Sequence, residues 1–214
     1  MVRQKTGISI TLILIIINTA VFLFTLPLLY INQDYIKYLA LQPAAFLQGE
    51  YVWAIITNMF MHAGVWHLAM NMLSLVFLGG FLEKIIGKKR FLLFYLAAGI
   101  FAGLFFVLTS YLFNTDMNAM AVGASGAIFG VAGLIAVLTP KLPVYIMFIP
   151  IATPMWLAVI IILGILWLIS ATAGLPIGNT AHLGGLIAGL IYGFYLRTKH
   201  KRKIRLLNKM LVGR

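Results

Sequence analysis

Six apolar runs of about membrane-crossing length constrain this chain more than any other feature. They lie at residues 7–30, 63–82, 91–113, 119–138, 154–173 and 180–196. At ~1.5 Å of rise per residue, about 20 apolar residues carry a helix across a hydrocarbon layer of roughly 30 Å. With 63% of its residues hydrophobic and 9% charged, the chain has far more apolar surface than one small core hides. The expectation is an all-α polytopic membrane protein: a six-helix membrane domain over 1–196 and a basic tail over 197–214. The alternating short strands of a membrane β-barrel are not in the sequence.

The net charge of +12 raises nucleic acid as a partner, but its distribution argues for topology instead. With the N-terminus placed inside, 15 of the 16 Lys and Arg residues fall on the inside, leaving Lys37 outside. The excess of cytoplasmic cations predicts both termini in the cytoplasm and no nucleic-acid role. Without cysteine, neither disulfides nor thiolate chemistry are available.

Between the runs, several segments carry expectations of their own. The first run is too long for a signal-peptide core, so it is expected to be retained, with Asn18 and Pro27 as packing or kink positions. Residues 31–62 mix polar Asn32, Gln33 and Asp34 with Tyr51, Trp53 and Phe60, which predicts an outside loop partly immersed at the membrane boundary. Gly87-Lys88-Lys89-Arg90 reads as a short inside turn. Pro140 and Pro143 end the fourth run, and 144–153 is left as an interfacial stretch. Residues 173–179 read as a flexible outside loop.

The acid inventory narrows the chemistry. Asp34, Glu50, Glu83 and Asp116 are the whole set, and none lies in the middle of an apolar run. An intramembrane aspartyl protease needs two buried carboxylates. The zinc signature H-E-x-x-H is absent, so no metal is expected. What remains is a serine flanked by glycines, Gly123-Ala124-Ser125-Gly126, and a histidine at the start of the last run, His182. Runs two, four and six all descend from outside to inside, which places His67, Asn71, Ser125 and His182 in one outer layer. Gly185, Gly189 and Gly193 follow His182 on its own face, at a spacing that lets helix backbones approach closely. Packing alone accounts for such glycines, and a small transporter or channel using His67 and His182 as proton or ion ligands fits the same histidines.

Taken together, Gly123-x-Ser125-Gly126, Ala181-His182-x-x-Gly185-x-x-x-Gly189 and His62-x4-His67-x3-Asn71 resemble the rhomboid intramembrane serine proteases. The resemblance runs from about Gly49 to Gly193 and includes Gly79-Gly80-x-x-Glu83. It implies a six-helix core, a Ser125–His182 dyad, and His67 and Asn71 beside the oxyanion, with His62, Gly123, Gly126, Phe129 and Gly185 in support. No cofactor is implied. The implied partners are the lipid bilayer and transmembrane protein substrates that unwind near their outer ends. A non-catalytic rhomboid relative that binds membrane clients is the rival within the same resemblance.

Two positions depart from the family pattern. Trp53-Ala54 stands where a Trp-Arg pair is common, and Phe129 where tyrosine is common; a phenyl ring still stacks on an imidazole but donates no hydrogen bond. The fifth run and the Gly174–Gly178 loop are the expected gate and lid. With no organelle-targeting segment evident, a prokaryotic plasma membrane is expected.

Overall fold

The computed structural model describes residues 7–146, 151–173 and 178–212. Helix α1 (Ile10–Ile31) starts at Ser9, whose hydroxyl accepts from Leu12 N, and carries Pro27 within it. Asn18 is fully buried in it and donates from Nδ2 to the Leu14 carbonyl at 2.7 Å, a local solution for an amide among apolar neighbours.

The long connection that follows is folded. It contains a 3₁₀ turn (Gln33–Tyr38), α2 (Pro43–Leu47), α3 (Ala54–Thr57) and a second 3₁₀ turn (Asn58–Phe60). Leu41 and Ala121 exchange backbone hydrogen bonds of 3.0 and 2.9 Å, and the Trp53 indole donates to the Tyr38 carbonyl at 2.8 Å. The Leu41–Ala121 pair ties the connection to the segment that leads into Ser125, and the Trp53 bond closes the connection on itself.

Helix α4 (Val65–Ser74) passes through one π turn (Leu75–Gly79) into α5 (Gly80–Ile86), making a single apolar span. Near its end, buried Glu83 accepts hydrogen bonds from Ser9 Oγ, Ile10 N, Thr11 N and Thr11 Oγ1, at 2.7 to 3.0 Å. The carboxylate thus takes up N–H groups that the first turn of α1 would leave unpaired. Gly87, at φ +85°, is the whole connection to α6 (Lys88–Phe113).

Helix α7 (Ser125–Leu138) is the axis of the molecule: twelve of its fourteen residues are buried. Helix α8 (Met155–Ala173) packs on one side of it, and α9 (Asn179–Lys199) makes the most extensive contact. That contact is backbone against backbone. A Cβ on Gly185 would overlap the Gly126 carbonyl oxygen, and one on Gly189 the Gly130 carbonyl oxygen. Such closeness gives dispersion contacts to helices that gain little from hydrophobic burial in lipid.

Among the described residues, four helical spans are long and apolar enough to cross a membrane: Ile10–Leu28 of α1, Val65–Ile86, α6 and α8. Helix α7 is shorter than its apolar run because residues 119–124 are not helical; Gly123 turns at φ +118° and the helix starts at Ser125. The interfacial stretch contains an antiparallel pair, β1 (Pro143–Tyr145) with β2 (Ala152–Pro154), so the described fold is helical apart from one strand pair. Prolines at both ends leave too short a run for a helix. The tail forms a basic amphipathic helix, α10 (Lys201–Val212). Its Ile204 packs on the core and its Asn208 donates to the Leu138 carbonyl at 2.7 Å, at the end of α7. Of the expected lid, residues 174–177 lie outside the described residues.

Candidate active site

Ser125 opens α7 half-buried, directly after the Gly123 turn. The turn is pinned by the Gly123 N–H donating to the Asn58 carbonyl at 2.8 Å. As the first residue of a helix, Ser125 holds a backbone N–H with no partner inside the helix. His182 lies in the first turn of α9, its N–H donating to Gly178 at 3.0 Å. Ser125 Oγ and His182 Nε2 are 2.8 Å apart, within reach for proton transfer.

The imidazole is held by packing. Phe129, one turn after Ser125, stacks on it with centroids 4.6 Å apart and planes at 22°. The Gly185–Gly126 contact fixes how far α9 slides along α7. His182 is 7% exposed, and among the described residues its Nδ1 has no hydrogen-bond partner. No carboxylate therefore orients the ring.

His67 comes to the same corner, with Asn71 one turn further along its helix. A Cβ on Gly123 would lie 2.8 Å from His67 Cε1 and Nε2 and 3.6 Å from Ser125 Oγ. The missing side chain leaves a space shared by the His67 ring and the serine hydroxyl. Asn71 is buried and donates from Nδ2 to the His67 carbonyl at 2.8 Å; an amide nitrogen carries a second hydrogen for another acceptor. His62 is buried behind His67, ring edge to face at 5.2 Å. Burial, with His67 beside it, pushes the His62 pKa down to about 4, so that ring is neutral at pH 7.

Gly126 sits against Ala102 on α6, and Ala54 is buried inside α3 while Trp53 is half exposed. Sequence reasoning missed the role of Glu83, read only as part of a helix exit. The available signals were an acid at the end of an apolar run and Ser9 and Thr11 at the start of another.

A serine hydroxyl and an imidazole in hydrogen-bond contact, among apolar helices long enough to cross a bilayer, mark an integral membrane protein. Residues 49–199 match the Rhomboid domain model, and the chain belongs to the rhomboid family. It is 41% identical over 143 residues to the rhomboid protease GluP of Bacillus subtilis, covering 66% of this chain and 25% of that protein. It is 32% identical over 162 residues to the rhomboid protease GlpG of Haemophilus influenzae, covering 76% and 79%. Rhomboid protein 1, mitochondrial, of Saccharomyces cerevisiae is 33% identical over 162 residues, covering 73% and 46%. The chain spans less than half the length of the yeast and Bacillus relatives.

Proposed function

We propose that this chain is an intramembrane serine endopeptidase that hydrolyses peptide bonds in or near transmembrane segments of other proteins. The observation that carries the reading is the 2.8 Å Ser125 Oγ–His182 Nε2 contact, in a chain of a family whose named relatives include proteases.

His182 Nε2 takes the Ser125 proton as Oγ attacks the substrate carbonyl, help typically worth ~10²–10⁴-fold. The tetrahedral oxyanion is received by the Ser125 backbone N–H at the positive end of α7, by Asn71 Nδ2 and by His67. His182 then returns the proton to the leaving amine, and a water repeats the sequence on the acyl-enzyme. Phe129 and Gly185 do the orienting that a carboxylate does elsewhere.

Six spans, formed by α1, the Val65–Ile86 helix, α6, α7, α8 and α9, put both termini on one side, the cytoplasmic one by its cations. Ser125 then lies toward the outer face of a prokaryotic plasma membrane. A peptide bond inside an intact helix has its carbonyl hydrogen-bonded, so substrates must unwind locally to reach Ser125. Helix α8, the least buried of the four long apolar spans, is the element that yields to admit them.

The test is cleavage of single-pass reporters by the protein in liposomes, with Ser125→Ala and His182→Ala in parallel. The expected result is cleavage by wild type and a loss of at least ~10³-fold in either variant, with matching loss of fluorophosphonate labelling. Reporter cleavage that survives Ser125→Ala overturns the proposal, and so does ion flux that survives Ser125→Ala but not His182→Ala.

A further inference from the structure

At the end of the bundle away from Ser125, helices α7, α8 and α9 leave a groove of about 270 Å³. Its floor includes buried Val137 and Val159, and its rim includes the exposed side chains of Trp156, Ile160 and Phe194. Among the described residues, Arg197 is the one charged residue that lines it. Trp156 is the second residue of α8 and Arg197 stands in the last turn of α9. Both therefore mark the level where two apolar helices leave the hydrocarbon, where an indole and a snorkelling guanidinium are favoured.

We propose that this groove is a binding site for one phospholipid, with an acyl chain along Val137, Val159 and Leu190 and the phosphate on Arg197. The charge complementarity is specific, because a guanidinium presents a planar fork that pairs two phosphate oxygens. The groove does not belong to the Ser125 corner, since Val137 lies twelve residues along α7 from Ser125, about 18 Å at 1.5 Å per residue. The occupant wedges between α8 and the tightly joined α7–α9 pair, on the flank of the least buried long helix.

Native mass spectrometry of the intact protein, delipidated and then titrated with dioleoyl phosphatidylglycerol, tests the site. One lipid should survive activation that strips the others. Its retention should fall about tenfold in Arg197→Gln, recover only in part in Arg197→Lys, which keeps the charge but not the fork, and fall in Ala136→Phe, which fills the groove without touching the charge. Equal retention by wild type and Arg197→Gln overturns the proposal. Capture of a transmembrane peptide in preference to lipid by a photo-crosslinker at Leu190 in bilayers overturns it too, by assigning the groove to polypeptide. Neither readout needs proteolysis, so the site stands or falls separately from the proposed activity.

Discussion

Gly185 rests its Cα on the carbonyl oxygen of Gly126, three residues after His182 and one after Ser125. The backbone contact and the side-chain contact are one turn apart, so helix register and hydroxyl–imidazole distance are a single geometric quantity. Alanine at 185 cannot be absorbed by a flexible side chain, because what it meets is backbone. Gly185→Ala should therefore destabilise the protein by about 1–3 kcal/mol and lower cleavage at least tenfold. Thermal unfolding in detergent and reporter cleavage measure the two effects. Full activity in Gly185→Ala would break the link between register and dyad.

Asn71 is the proposed oxyanion donor, yet its described hydrogen bond goes to the His67 carbonyl and not to Ser125 or His182. Asn71→Ala should lower kcat by ~10²–10³-fold with KM little changed, and fluorophosphonate labelling of Ser125 should persist. A rise in KM with kcat unchanged would instead make Asn71 a substrate-binding residue.

Glu83 gathers four donors from the start of α1 and lies far along its span from His67. Hydrogen bonds to a charged acceptor contribute ~1.5–3 kcal/mol. Glu83→Gln should lower the unfolding temperature and loosen α1, measured by faster proteolysis near residue 10, while folded protein keeps its kcat. Loss of kcat without loss of stability would place Glu83 in the chemistry.

His62 carries a pH dependence. Its pKa in the folded protein is about 4, below the ordinary 6.5, so the unfolded chain takes up the proton first as pH falls. Folding stability from this group is complete above pH 6.5 and is lost progressively down to about pH 4. Unfolding temperature should drop across that window in wild type and drop less in His62→Gln. Identical profiles would remove His62 as the cause.

Much of this was legible in the sequence. The apolar runs mark the helices because bilayer thickness sets their length, and the Ser125 and His182 motifs lie near the starts of two runs that the fold brings together. Helix starts inside runs were not legible: residues 119–124 are apolar enough to continue α7, and only the Gly123 backbone angle and the Leu41–Ala121 pairing show that they do not. The pairing of Pro143–Tyr145 with Ala152–Pro154 was hidden for the same reason, since apolar residues at an interface suit strand and helix alike. Glu83 was undervalued because its partners, Ser9 and Thr11, are more than seventy residues distant. No local pattern announces such a bond.

Asn208 on the last helix holds the Leu138 carbonyl, while Asn58 holds Gly123 just ahead of Ser125. The serine-bearing rod is thus clamped at both tips, one by the long connection after α1 and the other by the tail. In the proposed admission of a substrate, that rod is the fixed side of the opening and α8 the side that gives.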